Sequence, residues 1–207
     1  MGEAELHLSN VSKRFAHVVP NHEPYPTTFE KKKDPYRALV RAVVYQQLSG
    51  KAAATILGRV VALFPDKDFP EPEDLLGADP TLLRGAGLSR QKSAALKDIS
   101  QKRIEGIIPP ARALTRLSDE EIVERLTAAK GVGRWTVEMY LMFTLGRPDV
   151  LPIDDLGVRK GAEKLFRRSF TPKELGKYGA RWAPWRSAAA WHLWRVVDTQ
   201  TPEQSKV

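Results

Sequence analysis

The sequence predicts an all-α fold. Apolar residues recur three and four positions apart, as on one helix face, and Ser, Thr or Asp residues at capping spacing head several of these runs. Glycine or proline turns separate the runs, and no β-branched stretch alternates between turn signals as a strand would.

Residues 1 to about 34 are weakly patterned. They hold a turn-rich Pro20-to-Pro26 segment and a basic run, Lys31-Lys32-Lys33, and read as an irregular surface arm. From Tyr36 the pattern sharpens: Tyr36, Leu39, Val40, Val43, Val44 and Gln47 share one face of an amphipathic helix. Ile56, Leu57, Val60, Val61 and Phe64 repeat the signature in a second helix starting near Ser49. Between them lies the polar turn Gln46-Gln47-Leu48-Ser49-Gly50.

Pro65 to Glu73 is a proline-punctuated connector. Asp79-Pro80 opens a short helix with Asp79 as N-cap and Pro80 at the first helical position. Gly85-Ala86-Gly87 is a glycine turn, and Ser89 caps a helix whose Lys92, Lys97, Lys102 and Arg103 offer positive charge.

The most informative stretch runs from Ser118 to Gly161. Ser118 and Glu121 form a capping box, followed by Ile122, Val123, Leu126 and Ala129 at helical spacing. Gly131-Val132-Gly133 then makes a hairpin before a helix, Arg134 to Leu145, that is apolar on nearly every side. Glycines permit φ > 0 and close backbone approach, and the amides that follow sit at a helix N-terminus, where a phosphate can bind. An ordinary helix-ending turn gives the same pattern. Lys130 and Arg134 flank the glycines, and an acidic pair, Asp154-Asp155, heads the next helix, Leu156 to Phe166. Those carboxylates can cap that helix or serve chemistry. Thr171 to Glu174 is a further capping box, and a last helix covers about Ser187 to Val197.

Composition narrows the functional classes. The 207 residues carry 33 Lys and Arg against 25 Asp and Glu, a formal +8, which suits a polyanionic partner. Cysteine is absent, so disulfides, thiolate zinc sites and iron–sulfur clusters are excluded. No apolar run reaches membrane-helix length and no signal peptide is evident, so a cytoplasmic protein, nucleoid-associated if bacterial, is expected.

Three motifs in order carry a resemblance. GVGRWT followed by LPIDDLGVRKG, Pro184-Trp185-Arg186-Ser187 running on to His192-Leu193-Trp194, and Tyr45 to Ser49 followed by Lys51-Ala52-Ala53 resemble the helix-hairpin-helix (HhH-GPD) DNA glycosylase superfamily. Within it they are most similar to the 3-methyladenine DNA glycosylase II group, over about residues 35–197. The resemblance implies one glycosylase unit over residues 1–207, two-lobed, with the active-site cleft between the lobes and the helix-hairpin-helix near 118–145. It also implies a compact form that lacks the N-terminal α/β domain of the bacterial enzyme.

The resemblance implies a monofunctional enzyme that flips an alkylated base (3-methyladenine or 7-methylguanine) out of double-stranded DNA and hydrolyses its glycosidic bond, the first step of base excision repair. It assigns catalysis to Asp155 with Asp154 in support, and a pocket to Trp135, Trp194, Met139 and Leu156. Met139 and Leu156 stand where the bacterial enzyme has tyrosines. Gln46, Gln47 and Leu48 would meet the strand, with Gln47 or Leu48 filling the gap left by the extruded base. Lys130, Gly131, Val132, Gly133, Arg134 and Thr136 would hold phosphates. No cofactor is required. Na+ or K+ can sit at the hairpin carbonyls near Gly131–Gly133 in this family, and the protein is expected to be a monomer. An electron-rich indole attracts a cation, which an N-alkylated purine is and a normal base is not. Position 135 is lysine in relatives with lyase activity; Trp135 has no nucleophilic amine. The alternatives are a glycosylase for etheno, deaminated or oxidised bases and a non-catalytic helix-hairpin-helix DNA-binding module.

Overall fold

The computed structural model describes residues 1–26 and 34–197, and the Lys31-Lys32-Lys33 run lies outside them. Every regular element among the described residues is helical. The helices form two compact units. The first draws on Met1–Glu30 and Leu141–Ser205, and the second is built on Lys31–Tyr140.

The chain opens in the first unit with α1 (Glu3–Val11) and α2 (Lys13–Val18), which corrects the expectation of an irregular arm. Ser12 caps α2 by accepting from the Phe15 amide, and Leu8, Phe15 and Val19 are buried. Apolar anchors come little more than once per turn here, so periodicity alone gives almost no signal. Burial of a few large side chains, not amphipathic pattern, makes these helices part of the core.

The second unit holds α3 (Pro35–Tyr45), α4 (Gly50–Ala62), α5 (Pro72–Gly77), α6 (Pro80–Gly85) and α7 (Arg90–Ile104). After them come α8 (Ala111–Leu114), α9 (Asp119–Thr127) and α10 (Arg134–Phe143). Tyr36, Leu39, Val40, Val43 and Val44 are all buried on α3, as their spacing predicts. Gln47 does not join them. It lies beyond the helix end in the left-handed region at φ 58°, so its place in the apolar periodicity is coincidental.

α7 packs against α3, α5 and α6 and is the spine of this unit. Its Ala95, Leu96 and Ile99 are buried, and Ser100 lies 3.5 Å from the Tyr36 hydroxyl, which donates to the Pro70 carbonyl at 3.2 Å. Its cations do not offer their charge to a partner, as the sequence suggested. Lys97 donates to the Ala78 carbonyl at 2.7 Å, and Lys102 and Arg103 each lie 3.0 Å from a carboxylate oxygen, of Asp98 and Asp34.

Back in the first unit are α11 (Leu156–Phe166), α12 (Pro172–Gly179) and α13 (Arg186–Val196). α11 packs on α13 at backbone contact: a Cβ on Gly161 would lie 2.0 Å from the Leu193 carbonyl oxygen. Around Phe15 a cluster of rings closes, with Phe166 at 5.8 Å and Trp182 at 5.4 Å, both edge-on. Trp182 is wholly buried, as expected of a core tryptophan, whereas Trp185 is half-buried at the head of α13.

Candidate active site

In the first unit the structure ties down the carboxylate of Asp155. It is the N-cap of α11: its Oδ1 accepts from the Val158 amide at 2.8 Å and also from the Trp194 indole N–H at 2.8 Å. Asp154, expected to support Asp155 by capping the helix or orienting its neighbour, sits exposed in the preceding turn, and the cap is Asp155 itself. The physical reason is position, since an N-cap side chain must reach the amide three residues on. Both bonds fall on one oxygen, which fixes the plane of the carboxylate, and the helix terminus favours negative charge there.

The loop that delivers Asp155 is clamped from α13. Arg186 makes a two-pronged contact with Asp149, at 2.7 and 2.9 Å. The Ser187 hydroxyl accepts from the Val150 amide at 3.0 Å and donates to the Arg147 carbonyl at 2.7 Å. These ties explain why a Trp-Arg-Ser motif some thirty residues downstream accompanies the acidic pair. Close approach completes the arrangement: a Cβ on Gly157 would meet the Trp194 ring at 2.7 Å, so only glycine lets the indole reach Asp155.

Trp194 is 2% exposed and lies 6.0 Å from Phe143, tilted by 34°. Its indole is therefore a holder of the carboxylate rather than an open stacking face, which revises its expected pocket role. Leu156, by contrast, is well exposed at the first position of α11.

A buried polar group behind α13 was not visible in the sequence. His192 is fully buried, with its Nδ1 3.3 Å from His22 Nδ1 and its Nε2 3.6 Å from Glu5 Oε1. Glu5 also accepts from the Tyr25 amide at 2.9 Å. Burial, aided by the neighbouring His22, pushes His192 down to about 4, so it is neutral at physiological pH. The pairing joins residues 170 positions apart, which no local pattern can reveal.

In the second unit the hairpin forms as its glycines predict. Gly131 has φ 78°, and a Cβ there would press on the Ala95 methyl at 3.1 Å. The Ser118–Glu121 capping box is formed, with the Ser118 amide donating to Glu121 at 2.7 Å. Gly131, Gly133, Lys130 and Arg134 are exposed, while Val132 and Thr136 are buried. The last two therefore leave the phosphate-facing set as side chains, because they face the core of the hairpin. Arg134 is shared with an ion pair to Glu120 and lies 3.7 Å from the buried Glu138. Trp135 is 39% exposed on the first turn of α10, and Met139, one turn on, is half-buried.

The polar turn after α3 is tied to the hairpin by side-chain bonds. Gln46 donates its amide to the Gly131 carbonyl at 3.0 Å. Lys92 donates at 2.7 Å to both the Val44 and Gln46 carbonyls, closing the end of α3, and burial lowers its ammonium pKa. Asp98 accepts from the Lys130 amide at 2.7 Å. Gln47 and Leu48 stand exposed at the tip, Leu48 at 40%. Gln46 thus faces inward and leaves the tip to its two neighbours.

Comparison with known proteins gives the frame for both units. Residues 40–184 match the family described as HhH-GPD superfamily base excision DNA repair protein. DNA-3-methyladenine glycosylase 1 of Schizosaccharomyces pombe is 43% identical, over 99% of this chain and 92% of that protein. The solved structure of the S. pombe 3-methyladenine DNA glycosylase Mag1 in complex with abasic DNA has a TM-score of 0.82 at 42% identity, over 94% of this chain and 96% of that one. A DNA-3-methyladenine glycosidase from Bacillus halodurans gives 0.83 at 33% identity, over 96% and 90%. The chain belongs to the helix-hairpin-helix (HhH-GPD) superfamily of base excision DNA repair proteins.

Proposed function

We propose that this protein is a monofunctional DNA glycosylase that releases alkylated bases of the 3-methyladenine and 7-methylguanine type from double-stranded DNA. The observation that carries this reading is Asp155 held as an N-cap by the Val158 amide and the Trp194 indole. An N-alkylated purine is cationic, so cleavage of the bond to the sugar sends the bonding electron pair to the base, which departs neutral without needing a general acid. The sugar is left with oxocarbenium character. A fixed carboxylate stabilises that charge and accepts a proton from the attacking water as the new bond from C1′ to oxygen forms. The product is an abasic site.

The hairpin amides and Lys130 supply phosphate contacts, and the exposed Trp135 ring offers an electron-rich face to a cationic base. Trp135 also stands where a lyase would need an amine, so strand cleavage is not expected. At the hairpin the Gly131 carbonyl already accepts from Gln46 and the Gly133 carbonyl from the Val137 amide, so these two would meet a monovalent cation through their second lone pairs. No step above depends on such an ion. No helix among the described residues is long and apolar enough to cross a membrane, and the protein is expected to act as a monomer on cellular DNA.

The test is release of free base from methylated duplex DNA, with borohydride trapping in parallel. Free 3-methyladenine or 7-methylguanine without trapped enzyme–DNA adduct is the expected result. Trapping would overturn the monofunctional reading. DNA binding without release, on methylated duplexes and on duplexes bearing etheno, deaminated or oxidised bases, would make the chain a binding module.

A further inference from the structure

Positive charge is not spread evenly over this chain. Residues 159–181 contain eight Lys and Arg against two Glu, a local +6 in a protein whose formal total is +8. On the far part of α11 and just beyond it, Lys160, Lys164, Arg167 and Arg168 are exposed; on and after α12, so are Lys173, Lys177 and Arg181. The two acids offset only two of these charges, Glu174 with Arg168 beside it. Glu163 accepts from the Phe170 amide at 3.3 Å, and Glu174 is spent on the Thr171 capping box at 2.8 Å.

Two features distinguish this surface from a merely solvated face. Arg168 and Arg181 lie against the same ring, with guanidinium carbons 5.6 and 4.0 Å from the Tyr178 centroid, and Arg168 is also 4.5 Å from Phe170. Stacking holds both forks at the surface with little rotamer freedom left to lose on binding. Arg167 ends α11 in the left-handed region at φ 54°, where glycine is the ordinary choice. A residue bearing a β-carbon there is strained, and Arg167 holds its cation exposed at the end of the helix.

We infer that the α11–α12 face is a second DNA-contacting surface that grips the phosphate backbone beyond the lesion. This rests on the glycosylase reading given above. Lys160, Lys164 and Arg167 recur at one-turn spacing along α11 and at its C-terminal end, on the helix whose N-terminus holds Asp155. From Lys160 to Arg167 the stripe runs for about 10 Å at about 1.5 Å per residue. Along that length duplex DNA presents about six phosphates. The polyanion needs no sequence-specific partner on the protein, which suits lysines and stacked arginines on an open face.

The experiment measures binding of the whole protein to a long and a short duplex carrying an abasic-site analogue, across a salt series, with base release followed on methylated DNA. Lys164→Gln/Lys173→Gln/Lys177→Gln removes three cations that stand apart from the aromatic cluster, and thermal unfolding checks that the variant folds. Each phosphate that the variant leaves without a cation should lower the slope of log K against log salt by about 0.9, so a fall of about 2 to 3 is expected on the long duplex. Affinity at physiological salt should drop at least tenfold, the short duplex should show little change, and base release at saturating enzyme should stay at the wild-type rate. The double variant Arg168→Gln/Arg181→Gln should lower the long-duplex slope independently. Wild-type slopes in both variants on the long duplex, with base release intact, would overturn this inference alone. Failure of the wild type to release any alkylated base would instead strike the glycosylase reading.

Discussion

The two units hold their functional groups by different physics. In the first, Asp155 is set by close packing: glycines at 157 and 161 bring α13 against α11, and the Trp194 ring then fits with its N–H on the carboxylate. In the second, the Gln46–Leu48 turn and the glycine hairpin are set by polar ties, from Lys92 and Gln46 to backbone carbonyls and from a backbone amide to Asp98. Packing leaves the carboxylate almost no alternative position, as a reacting group requires. Polar ties on an exposed surface fix the backbone yet leave tips such as Gln47 and Leu48 open to press against a strand.

The difference can be broken at its tightest point first. Gly161→Ala puts a methyl within 2.0 Å of a backbone oxygen, and separating α11 from α13 should cost more than about 4 kcal/mol, read as loss of cooperative unfolding. Trp194→Phe keeps an aromatic ring but removes the donor to Asp155. Loss of one charge-assisted hydrogen bond, about 1.5–3 kcal/mol, should slow base release roughly ten- to a hundredfold at saturating enzyme, with DNA affinity unchanged. Lys92→Met should do the reverse. It strands two carbonyls at the end of α3, so affinity for an abasic-site duplex should fall several-fold while release at saturation persists.

A smaller effect separates the units by pH. His192 is held down to about 4 in the folded protein from 6.5, so the unfolded chain binds the extra proton between those values. A depressed histidine therefore costs folding stability as pH falls from 6.5 toward 4, because the unfolded chain takes up a proton that the folded chain does not. Thermal unfolding should show this acid loss, and His192→Gln should flatten it within that window.

What the sequence disclosed follows the same division. The hairpin, its capping box and the helix starts at Asp79, Ser89 and Thr171 are short-range chemistry, legible in four or five consecutive residues, and each stands as read. Asp155 emerged from the resemblance and a cap from the local pattern, but its indole donor, 39 residues away, depends on a helix packing that no local pattern carries. α1 and α2 escape a sequence reading because sparse apolar anchors leave no periodic trace. The cations of α7 mislead for a related reason: charge is visible in sequence, whereas the carbonyl or carboxylate that absorbs it is not.

The most direct test of the account is single-turnover base release by Asp155→Asn beside its affinity for an abasic-site duplex. Asparagine can still cap α11 and accept from Trp194, so fold and binding should survive, while loss of the anion should slow release by about a thousandfold or more. Release at near the wild-type rate would contradict the account and move the chemistry away from this carboxylate.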